Sequence, residues 1–153
     1  MNIFIHSFIA SPVHYHKDAR KEYEKRLSRY CKCKHTIYKN EKQQQKAIDK
    51  LLQLPLAAGK DRIIFITSGF KESDIDSPGL ANYIEESGVT GISNLHFYVG
   101  FDSILEKFSQ EDTFSFDRFS ISRMTIQPDL LSLILEEQIY RAYRIINKEP
   151  YHK

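Results

Sequence analysis

The chain alternates between short apolar runs of β character and longer amphipathic stretches. Residues 2–10 (NIFIHSFIA) are apolar at Ile3, Phe4, Ile5, Phe8 and Ile9, which predicts a buried first strand. A helix follows over about residues 13–30, where Ala19, Tyr23, Leu27 and Tyr30 recur at helical spacing. Residues 31–38 alternate and read as a strand with Cys31, Cys33, His35 and Ile37 on one face. Residues 41–54 predict a polar helix with a thin seam of Ala47, Leu51 and Leu54, stopped by Pro55. Residues 63–66 and 95–99 are short, β-branched or aromatic runs, as buried strands are. Between them a helix starts at Asp76, with Pro78 in its first turn, and stops at Gly88. Residues 101–110 read as a loop and a short helix.

The last third is the organising stretch. Phe119, Ile121, Met124 and Ile126 form a β-type run closed by Gln127 and Pro128. A long helix then begins near Asp129, placed to cap it. Leucines, isoleucines and tyrosines cover almost the whole circumference of its first half, so it lies inside the molecule or between two molecules. We therefore expect a homodimer through this last helix. The alternation throughout predicts an α/β fold, a mostly parallel sheet with helices on both faces. Ligands then sit beyond the carboxyl ends of the strands, at residues 66–68, 99–101 and 124–127.

Length and composition place the chain in a class. At 153 residues, 41% hydrophobic and 27% charged, it is expected to be one domain over residues 1–153 with a real core. No apolar run is long enough for a membrane span and no signal peptide is visible. Two cysteines one residue apart would close almost no loop, so they read as reduced thiols in a cytoplasmic protein. Cys-x-Cys-x-His invites zinc, but four ligands cannot be assembled, so no metal is expected. His14 and His16 would diverge on a helix, and His6 reads as a core histidine.

The net charge of +2 conceals an asymmetry. Residues 1–60 carry thirteen Lys and Arg against five acids, and residues 61–153 carry nine against fifteen. The first helix therefore offers Lys17, Arg20, Lys21, Lys25 and Arg29 as a phosphate-binding set. Its alternative reading is a solvated charged helix.

Several segments together resemble a known family. They are EYEKRLSRY in the first helix, LAAGKDRII, DSPGLA, SRMTI, EEQIYRAYRI and the terminal PYHK. The chain resembles the RlmH family, SPOUT-class knotted methyltransferases that act on a pseudouridine of large-subunit ribosomal RNA. The resemblance implies a C-terminal trefoil knot and S-adenosyl-L-methionine as cofactor. It also implies ribosomal RNA or the ribosome as partner. The three strand ends named above would hold the cofactor, through Ile66, Val99, Gly100, Phe101, Ser122, Met124, Thr125 and Ile126. The tail would complete the site at a dimer interface. His152 would be the candidate base, with Tyr151 and Arg141 beside it and Lys153 on the RNA.

The chain departs from the family at two places. Gly100 stands at the first of the family's cofactor-loop glycines, but Phe101 and Ile104 stand at the second and third. Gln127, Pro128, Asp129 and Ser132 stand where the family has a Pro-His pair and an Arg. A Phe101 ring pointing into the pocket would fill the cofactor's space. A ring pointing into the core would leave Gly100 free to admit it. Two functions follow, an active methyltransferase and a catalytically degenerate knotted relative that binds RNA or another partner.

Overall fold

The computed structural model describes residues 1–110 and 114–151. Its elements run β1 (Asn2–Phe8), α1 (His16–Leu27), β2 (Lys32–Tyr38), α2 (Glu41–Leu52), a 3₁₀ turn (Leu56–Ala58), β3 (Asp61–Thr67), α3 (Ser77–Val89), β4 (Asn94–Val99), α4 (Asp102–Ser109), β5 (Asp117–Ser120) and α5 (Pro128–Ile146). The strands form one sheet in the order β2-β1-β4-β3-β5, and every pairing is parallel. Parallel pairing forces the helices into crossovers that cover both faces.

The two faces carry two cores. On one, Ile3, Ile5, Ile64, Ile66, Leu95, Phe97 and Val99 meet Leu27 of α1, Leu80 and Ile84 of α3, and Leu131, Leu135 and Ile139 of α5. On the other, Ile63, Phe65 and Tyr98 meet Ala47 and Leu51 of α2 and Leu105 and Phe108 of α4. Residues 63–66 are buried on both sides, which explains their unbroken β-branched and aromatic run. Side-chain caps start two helices. Asn40 accepts from the Gln43 amide at 2.9 Å, and Asp76 from the Gly79 amide at 2.7 Å.

Three expectations are corrected. The last strand is Asp117–Ser120 and does not reach Ile126; residues 121–127 are a loop. Ser120–Ser122 instead bonds outward on two sides. Ile121 N–H donates to Thr67 O (3.0 Å) and Gly69 N–H to Ser122 O (2.8 Å). Ser120 N–H donates to Ser73 O (2.9 Å) and Ile75 N–H to Ser120 O (3.1 Å). The loop after β3 thus grips this segment from both sides. The first helix starts at His16, not near Val13, because residues 13–15 form a preceding turn.

The third correction concerns Asp129. Gln127 occupies the cap position of α5 without a side-chain bond, and Pro128 opens the helix. Asp129 is buried, and its carboxylate accepts from the Val13 amide (2.6 Å) and from Arg20. It ties α5 to α1. The face of α5 that carries Leu131, Leu135 and Ile139 is met within one chain, because the helix lies over the sheet between α1 and α3; Leu130 stays exposed and Leu133 and Ile134 half-buried.

A candidate donor cleft and the residues around it

The ends of β3 and β4 and the loop before α5 enclose a cleft of about 320 Å³. Ile66, Thr67, Ser68, Gly100, Asp102, Thr125, Ile126, Gln127, Pro128 and Leu131 line it. The loop wall is fixed by Ser68, whose hydroxyl accepts from the Ile126 amide at 2.8 Å and donates to the Ile126 carbonyl at 3.3 Å. Gly69 has φ +82°, and a Cβ there would meet Thr125 Oγ1 at 2.8 Å. Gly100 also has φ +82°, and its Cβ would strike the Phe8 carbonyl at 2.8 Å and Pro128 at 3.2 Å. Gly100 is therefore required where β1, β4 and α5 converge, before any ligand is considered.

Phe101 faces away from the cleft. It is 2% exposed and packs edge-on to Tyr38 and Tyr98, at ring distances of 6.3 and 5.4 Å. The bulky residue after Gly100 belongs to the core on the α2–α4 side. Of the residues expected to hold a cofactor, Ile66, Gly100, Thr125 and Ile126 line the cleft. Val99 is fully buried behind it, and Phe101 is in the core. Ser122 lines a separate hollow with Asp74, Asp76 and Arg123, and Met124 is 77% exposed.

Ser68 and Gln127 lie within the strand ends expected to hold a ligand and line the cleft; Asp102 and Leu131 also line it and had no sequence motif of their own. The position of Asp102 directly after the Gly100 turn was the available signal. Burial pushes its carboxyl above the usual carboxylate range; Arg118 opposes that and Glu106 adds to it.

The expected phosphate-binding set divides. Lys17, Lys21, Lys25 and Arg29 are exposed. Arg20 is not, and this is a further correction. It is buried and bonded to Asp129, so its charge is spent inside the fold. That pairing neutralises Asp129, the acid that stands in the stretch where the family has a Pro-His pair and an Arg.

The tail is pinned to its own chain as far as Tyr151. Glu149 pairs with Arg144 (2.9 Å) and accepts from Tyr30 Oη (2.6 Å). Tyr151 packs edge-on to Tyr140 and donates to Glu137 Oε1 at 3.3 Å. Arg141 pairs with Glu137 at 2.9 Å and lies 4.9 Å over the Tyr151 ring. Arg141 and Tyr151 thus meet each other, but thirteen helical residues, about 20 Å at 1.5 Å per residue, separate Arg141 from Pro128 at the cleft. His152 and Lys153 lie outside the described residues.

His35 serves the core. It bridges Ser7 Oγ (2.8 Å) and Glu136 Oε1 (2.5 Å), tying β1, β2 and α5. Burial pushes the Cys31 thiol up to about 11 and the Cys33 thiol higher still, so neither is a reactive thiolate near neutral pH. Among the described residues no helix is long and apolar enough to cross a membrane.

Comparison with known proteins agrees along the whole length. The family model described as "Predicted SPOUT methyltransferase" matches residues 1–152. Ribosomal RNA large subunit methyltransferase H 1 of Clostridium perfringens is 38% identical, with both chains fully covered. Ribosomal RNA large subunit methyltransferase H is 37% identical in Clostridium tetani and 38% in Clostridium botulinum, again over both full chains.

Proposed function

The chain belongs to the SPOUT methyltransferase family, and from that premise we propose that it transfers the methyl group of S-adenosyl-L-methionine to large-subunit ribosomal RNA. The observation that carries this is the inward turn of Phe101, which leaves the cleft beside Gly100 open. The cleft volume falls within the roughly 300–1,000 Å³ of ordinary small-molecule sites.

The donor set suits this cofactor. Ile66, Ile126 and Leu131 offer apolar walls to an adenine ring. The Asp102 carboxylate offers a counter-charge to a cationic ligand, and binding such a ligand would return its proton affinity toward the usual range. When bound, the cofactor supplies an electrophilic methyl group on a sulfonium. The protein then contributes placement and proton removal. Ser68 holds the Ile126 wall in place, and Lys17, next to His16 at the start of α1, with Lys21 and Lys25 farther along that helix, offers charge to the RNA backbone.

A second copy of the chain completes the site in this reading. Arg141 and Tyr151 cannot reach their own chain's cleft along α5, so the part of completing the site that the resemblance gives to these two residues falls to a partner's tail. The two-sided grip on Ser120–Ser122 fits the family's trefoil knot. With Phe101 in the core, the altered cofactor loop no longer argues for the degenerate reading.

Incubation of the protein with methyl-labelled S-adenosyl-L-methionine and ribosomes or large-subunit RNA tests the activity. Label in the RNA is expected. A donor-binding protein that labels neither substrate would refute the assignment.

A further inference from the structure

A second and larger cavity, about 820 Å³, adjoins the cleft. It shares Gly100, Thr125, Ile126, Gln127 and Pro128 with the donor cleft. What distinguishes it is a side chain from another element, His16, the first residue of α1. His16 Nδ1 is buried 3.2 Å from Asp129 Oδ1, within ion-pair distance, and makes no hydrogen bond among the described residues. Asp129 itself cannot turn, because Val13 N–H and Arg20 hold its carboxylate.

We propose that His16, oriented by Asp129, accepts the proton that the target base loses on methylation, and that this cavity receives the base. The inference rests on the methyltransferase reading above. The resemblance places a histidine in the loop before the last helix, where this chain has Gln127, Pro128 and Asp129 instead. Here an imidazole returns to the same neighbourhood from α1, beside Pro128. A carboxylate against Nδ1 favours the Nδ1–H tautomer and leaves Nε2 as the basic nitrogen on the ring's other edge. The charged groups facing the ring are Asp129 from α5 and Arg20 from its own helix, with Glu136 acting on Arg20 from α5.

The surroundings suit a nucleotide. Tyr15 is 66% exposed at the cavity rim, held edge-on to His16 at 4.8 Å, and presents a ring on which an unpaired base can stack. Lys17 is the next residue and is exposed to meet a phosphate. The step balances as follows. The imide N–H bond breaks and its proton passes to His16 Nε2. The freed nitrogen pair forms the N–CH₃ bond as the C–S bond of the donor breaks. The sulfur keeps that bonding pair as a neutral thioether.

His16→Gln and His16→Ala test the role under single-turnover conditions, with S-adenosyl-L-methionine affinity measured alongside by calorimetry. Donor affinity is expected to stay at the native level, while the transfer rate at neutral pH falls by about 10²–10⁴-fold. The deficit is expected to shrink as rising pH ionises the imide without help, and added imidazole is expected to restore part of the rate of His16→Ala. Either variant keeping the native rate and pH profile would overturn the proposal. So would a loss that is uniform across pH and not relieved by imidazole, since that marks a structural role. Absence of transfer by the unmutated protein would instead refute the parent reading, and this role with it.

Discussion

Arg20 of α1 and Asp129 of α5 form a buried ion pair, each side chain 10% exposed, that clamps the start of one helix to the other. Breaking such a pair from one side leaves an uncompensated charge and costs about 3–5 kcal/mol. Asp129→Ala is expected to lose stability in that range, because it also strips the Val13 amide of its acceptor. Replacing both partners, Arg20→Met with Asp129→Leu, is expected to recover most of the loss. Urea denaturation of the native protein and these two variants checks both statements.

The same pair separates Arg20 from its neighbours as an RNA ligand. Lys17→Glu, Lys21→Glu and Lys25→Glu together are expected to weaken RNA binding. Each phosphate contact removed should reduce the slope of log affinity against log salt by about 1. Arg20→Gln, measured the same way, is expected to leave the slope unchanged and to lower stability.

Gly100 is expected to resist substitution on two counts. Its φ of +82° disfavours any Cβ, and the added atom would meet the Phe8 carbonyl at 2.8 Å. Gly100→Ala should cost more than about 1 kcal/mol and shift the shared wall of both cavities. Thermal unfolding checks the first expectation and donor affinity the second.

The histidines under the sheet set an acid limit. His6 stacks on Tyr98 at 4.5 Å and on His96 at 5.8 Å, and its Nε2 has no hydrogen-bond partner among the described residues. Burial, with His96 and His35 nearby, pulls its pKa from 6.5 down to about 3. Burial lowers His96 too, against the opposing pull of Asp61. Between those two values the unfolded chain binds a proton at position 6 that the folded chain refuses, so stability falls as pH drops below about 6.5. His6→Gln, which does not titrate, is expected to show a shallower fall between pH 6.5 and 4.5 in denaturant titrations.

The strands and helices were legible because their apolar spacing answers directly to burial. The unbroken run at residues 63–66 marked a strand buried on both faces, and the Asp76 and Pro78 pairing marked a helix start. The last strand was over-extended because Ile121 and Ile126 are apolar for a different reason. They pack against the main core from a loop whose backbone bonds go to residues 67–75. Asp129 looked like a cap because local sequence cannot show Arg20, 109 positions away. Which way Phe101 points was equally hidden, since the Tyr38 ring that receives it together with Tyr98 comes from β2, far away in sequence. The meeting of His16 with Asp129 depends on the packing of α1 against α5, which local sequence does not show.

The most direct test of the account is titration of S-adenosyl-L-methionine by calorimetry into the native protein and into Phe101→Gly. The ring lies in the core, so its removal opens a cavity there and none in the cleft. Large-to-small changes of this kind cost about 3–5 kcal/mol of stability. The account predicts that the native protein binds the donor and that Phe101→Gly binds it no better. Binding by Phe101→Gly together with none by the native protein would contradict it.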